Sequence, residues 1–133
     1  MIRPCFLVVD REFSSMISTR KLVIETAKFN VITAYSGEEA LEVLRKFPAI
    51  DAIVVDAHMR DIPCEELVAR FKAILPGIRV VSVHTPGASP CSAADHHVES
   101  LAPEQLLATL RKLHPEAAEA VHLRNQELRS NEI

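Results

Sequence analysis

Pro48-Ala49-Ile50-Asp51-Ala52-Ile53-Val54-Val55-Asp56-Ala57-His58-Met59 is the stretch that decides the fold. Ala52 to Val55 is a short, unbroken, β-branched run, the pattern of a strand buried on both faces. It stops at a carboxylate, Asp56. Upstream, Ser36 and Glu39 stand three residues apart as a capping box. The helix they open carries Ala40, Leu41, Leu44 and Phe47 on one face and ends before Pro48. Val31 to Tyr35 reads as a strand. Ser14 to Lys28 has helical spacing in Met16, Ile17, Val23, Ile24 and Ala27. Cys5 to Val9 is another apolar run ending in a carboxylate, Asp10.

Downstream the alternation continues. Cys64, Leu67, Val68, Phe71 and Leu75 form a helical stripe that Pro76-Gly77 stops. Arg79 to Val83 is a fourth strand and His96 to Val98 a weaker fifth. Pro103 suits the first turn of a last helix, with Leu106, Leu107, Leu110 and Leu113 on its face. Strands alternating with helices imply a doubly wound α/β fold, a five-stranded parallel sheet with helices on both sides. Ligands of such sheets bind beyond the carboxyl ends of the strands, which points to Asp10, Asp56, His84 and Glu99. Two segments break the rhythm. Thr85 to Ala94 holds two prolines, a glycine and small residues, so it reads as a loop. From Pro115 onward the chain is polar and helix-prone, with too few apolar residues for a core. The organisation expected is one domain over residues 4–114 and a helical or disordered tail over 115–133, without internal repeats.

The chain has 133 residues, 48% hydrophobic and 25% charged, which excludes a disordered tail, a collagen-like fibre or a coiled-coil rod. Fifteen Lys and Arg face eighteen Asp and Glu, a formal charge of -3. No basic excess tracks a phosphate backbone, so nucleic-acid binding by this domain is not expected. No apolar run approaches the roughly 18 residues that cross a membrane, and the amino terminus lacks a signal-peptide pattern. A cytoplasmic location is therefore the expectation. Cys5, Cys64 and Cys91 are odd in number and without CxxC spacing, which reads as free, buried thiols. The only glycines are Gly37, Gly77 and Gly87, so there is no dinucleotide fingerprint and no P-loop. No GxSxG is present either, and an enzyme is not expected.

Phe6-Leu7-Val8-Val9-Asp10, Ser36-Gly37-Glu38-Glu39-Ala40-Leu41 and Pro48 to Met59 together resemble the receiver domain of bacterial two-component response regulators. The resemblance covers roughly residues 4 to 114. It implies a flavodoxin-like topology with strand-linking helices, a histidine kinase as phosphoryl donor and Asp56 as acceptor. It also implies Mg2+ held by Asp10, Asp56 and the backbone at His58. The cation would offset charge during in-line attack on phosphorus. His84 stands at the family's Thr/Ser position and Glu99 at its Lys position.

Several positions depart from that pattern. Arg11 replaces a second acidic residue, His84 a hydroxyl and Glu99 a lysine. Arg60 replaces a proline, and Pro63-Cys64 replaces Asp-Gly. The segment after His84 leaves a fourth helix shortened or missing. Glu99 would repel a phosphoryl group, and Arg11 would supply positive charge where a cation sits, pairing Asp56 or Glu99 without metal. The expectation is weak magnesium binding and poor phosphotransfer, in an atypical module that signals through protein contacts or as a homodimer. The alternative is a working acceptor that uses Asp10, Glu12 and Asp56 for the metal. A transition-metal site built from His58, His84 and the carboxylates is a further alternative.

Overall fold

Residues 5–9 form an interior strand because Phe6, Leu7, Val8 and Val9 offer apolar side chains to both faces. The computed structural model describes residues 4–11, 19–100 and 102–113. Its elements run β1 (Cys5–Val9), α1 (Thr19–Thr26), β2 (Asn30–Ala34), α2 (Gly37–Lys46) and β3 (Ala52–Asp56). They continue with α3 (Cys64–Ile74), β4 (Arg79–His84), β5 (His96–Glu99) and α4 (Pro103–Leu113). All strand pairs are parallel, in the order β2-β1-β3-β4-β5. This is the doubly wound sheet that the alternation predicted. The amino-terminal part of the first helical pattern and the 115–133 tail lie outside the described residues.

Successive strand residues point to opposite faces, and each face has its own core. Leu7, Val9, Ile53 and Val55 pack with Leu41 and Leu44 of α2 and Leu67 and Phe71 of α3. Phe6, Val8, Val54, Val81 and Val98 pack with Ile24 of α1 and Leu106 and Leu110 of α4. Phe6 and Phe29 meet edge to face at 5.3 Å. The Ser36 cap forms as predicted, with Glu39 N–H donating to Ser36 Oγ at 3.0 Å, while Glu39 Oε2 reaches one residue past the cap and accepts from Tyr35 N–H at 3.1 Å. Asp61 reaches across and accepts from Gly37 and Glu38 N–H, both at 3.0 Å. A carboxylate at a helix start satisfies orphan donors and suits the dipole.

Residues 85–95, between β4 and β5, contain turns and no helix. Asp95 ties this connection down by accepting from Lys72 Nζ at 2.9 Å and from Val80 N–H at 2.8 Å. A covalent link holds its middle. Cys64, at the start of α3, and Cys91 form a disulfide with Cα atoms 5.9 Å apart, leaving Cys5 as a free thiol among the described residues. The free-thiol expectation is thus overturned for Cys64 and Cys91. Their separation of 27 residues carries no local cue; the packing of the loop over α3 brings them within bonding range.

Asp61 and Asp95 also set an acid limit. Burial pushes both carboxyls upward, but the backbone donors on Asp61, and Lys72, Val80 N–H and Arg79 on Asp95, outweigh it and hold both below the ordinary 3.8. A depressed folded value contributes stability above 3.8 that is lost as pH falls through the folded values. Urea midpoints are therefore expected to be flat from neutral pH down to about 4 and to fall below it. Asp95→Asn should flatten part of that acid limb. An unchanged limb in the variant would mean that Asp95 gains nothing from its partners.

Candidate functional site

β1 runs on to β2 at one side and β3 at the other, so the carboxyl ends of β1 and β3 flank the point where the winding reverses. Asp10 and Asp56 sit at those ends. Both continue the face that carries Val8 and Val54, so both carboxylates turn toward α1. Both side chains are 3% exposed. A buried carboxylate needs a compensating partner, and α1 supplies it. Arg20 Nη1 lies 3.2 Å from Asp10 Oδ1 and 3.1 Å from Asp56 Oδ2, with the Arg20 side chain itself 16% exposed. Arg11 Nε stands 3.4 Å from the same Asp56 Oδ2. The other oxygen, Asp56 Oδ1, accepts from His58 N–H at 2.7 Å.

The predicted site residues are therefore brought together in part. Asp10, Asp56 and the His58 backbone converge. The expected pairing of Arg11 with Asp56 is present, at 42% exposure of the arginine. The central cation, Arg20, was not anticipated. It carried a readable signal, since it falls within the helical stripe Met16, Ile17, Val23, Ile24, Ala27, where an arginine has no apolar reason to be. Glu99 lines the cavity beside this cluster, together with Thr85 rather than His84. Val81 and Val83 belong to the core on the α1/α4 side, so Thr85 continues their face. His84 Nδ1 and His58 Nε2 are buried without a hydrogen-bond partner among the described residues.

Among the described residues these groups do not fit a divalent cation; Glu12, the third ligand of the alternative reading, lies outside them. Magnesium requires convergent oxygens in octahedral array, and the oxygens of Asp10 and Asp56 converge on a guanidinium nitrogen instead. Arg11 adds a second positive charge where a third acidic ligand would be needed. Among the described residues, no three His, Cys, Asp or Glu side chains gather to hold a metal ion. No helix among them is long and apolar enough to cross a membrane.

The architecture superposes on solved structures with one recurring description. A CheY-like receiver-domain protein of Methanospirillum hungatei JF-1 matches with a TM-score of 0.74 at 19% identity, covering 90% of this chain and 99% of that one. The chain has the fold of a response-regulator receiver domain. The receiver of Methylobacillus flagellatus agrees, with a TM-score of 0.72 at 21% identity over 85% of this chain and all of that one. So does a CheX–CheY complex of Borrelia burgdorferi with beryllofluoride and magnesium, at TM-score 0.69 and 21% identity, covering 83% of this chain and 88% of that one. No family model matches the sequence. Among curated proteins, the transcriptional regulatory protein GlrR of Escherichia coli K12 is 25% identical over 92 residues, 69% of this chain. The aligned stretch is 20% of GlrR, so the chain spans about a fifth of that relative's length.

Proposed function

We propose that this chain is a receiver-fold signalling module that works through protein contacts while its acceptor site is held closed by an internal cation. The observation that carries the reading is the single Arg20 nitrogen within 3.2 Å of both Asp10 and Asp56. A guanidinium there neutralises the carboxylates without a metal and cannot leave with phosphate. It also blunts Asp56 as a nucleophile, because a lone pair engaged by two arginines is poorly available for attack on phosphorus. Glu99 adds repulsion toward a dianionic phosphoryl group. The partners suggested by the fold are a histidine kinase, another signalling protein or a second copy of the chain. We read the module as cytoplasmic, which makes Cys64–Cys91 a bond that cytosolic thiols work to reduce. The retained pair Asp10 and Asp56 favours the second reading, phosphoryl transfer from a kinase to Asp56 with a divalent metal, and that reading requires Arg20 to swing out.

The test is amide NMR of the whole chain with beryllofluoride and Mg2+. The spectrum is expected to be unchanged. Shifts centred on Asp56, spreading into residues 80–100 and absent in Asp56→Ala, would overturn the closed site and establish a working acceptor.

A further inference from the structure

The cluster opens on one side into a cavity of about 490 Å³ between α1, β5 and α4. Its size falls within the roughly 300–1,000 Å³ of small-molecule sites. Its walls are of two kinds. The apolar part is made by Val23, Val98 and Leu106, one from each of three elements. The polar part holds Asp10, Asp56 and Glu99 against Arg11 and Arg20. Both arginines are committed, Arg20 to Asp10 and Asp56 and Arg11 to Asp56. Glu99 is exposed and makes no ion pair or side-chain hydrogen bond among the described residues. Among the described residues the lining therefore carries one carboxylate more than it has cations, and the surplus stands beside an apolar wall.

We propose that this cavity binds a small organic monocation, an amine or amidine on an apolar body, with its charge toward Glu99 and its body against Val23, Val98 and Leu106. The proposal rests on the closed-site reading, in that Arg20 stays paired while the ligand is bound. The chemistry selects this class over two others. A hydrated inorganic cation gains nothing from an apolar wall and meets two guanidiniums where it needs oxygens. An organic anion would leave Glu99 unpaired and add like charge beside it. A monocation meets the unpaired carboxylate and lets the apolar body displace water from the wall.

The test uses the full chain and probes matched in shape but opposite in charge. Tryptamine and indole-3-propionate share an indole and a short chain; ammonium chloride supplies the charge without the body. Amide NMR is expected to show saturable shifts with tryptamine at residues 20–24 and 98–106. Indole-3-propionate should bind about tenfold more weakly or not at all, and ammonium should not saturate. Glu99→Gln, an isosteric change at an exposed position, should weaken tryptamine by about fivefold, the effect of a partly exposed ion pair. No saturable shift with tryptamine up to about 10 mM, equal binding of the acid, or tryptamine binding unaltered in Glu99→Gln would each overturn the proposal. Beryllofluoride separates the two failures. A spectrum that answers beryllofluoride overturns the closed site, whereas one silent to both probes overturns the amine cavity alone.

Discussion

Arg20→Met is expected to destabilise the domain by about 3–5 kcal/mol at neutral pH, the cost of stripping the partner from buried charge. Asp10 and Asp56 would remain buried, with half-exposed Arg11 3.4 Å from Asp56 Oδ2 and the His58 N–H on the other Asp56 oxygen. Removing Arg20 also empties the position on which Asp10 Oδ1 and Asp56 Oδ2 converge. The urea midpoint of Arg20→Met should therefore rise with millimolar Mg2+, because a ligand that binds only the folded state stabilises it by mass action. The midpoint of the parent protein should not move with Mg2+. Arg20→Lys should recover part of the stability, since an ammonium restores charge but not the planar fork. If Arg20→Met unfolded at the parent midpoint, Arg20 would be a surface arginine and the closed site would have no keystone.

Cys91→Ser is expected to cost about 3–4 kcal/mol under oxidising conditions, from the loop-closure entropy of a link across 27 residues. Reducing the parent protein should lower its stability to a similar extent. Thiol titration should find the single free thiol of Cys5 in the oxidised parent, with Cys64 and Cys91 appearing on reduction. The loss should be local before it is global. Asp95 keeps its hold on Lys72 and on the start of β4, so amides of residues 85–94 should exchange faster while β4 stays protected. Identical urea midpoints with and without reductant would show that the link adds nothing to stability.

Contacts that are local in the chain were legible in the sequence. The apolar runs at Cys5–Val9 and Ala52–Val55, the Ser36–Glu39 capping box and the proline-rich interruption after His84 each reflect a backbone preference expressed within a few residues. Asp10 and Asp56 were legible because strand ends define where a doubly wound sheet places its site. Thr85 rather than His84 facing the cavity follows from strand parity, which is certain only once the strand's phase is known.

What the tertiary structure alone decided lies across long chain separations. Cys64 and Cys91 have no spacing motif; they meet because a loop without a helix folds back onto α3. Arg20 looked like one charge on a helix. Only the packing of α1 against the carboxyl ends of β1 and β3 turns it into the shared partner of two buried aspartates. The physical reason is common to both. Periodicity and capping are set by dihedrals and neighbours, whereas the partner of a buried charge or a thiol is set by which surfaces burial forces together.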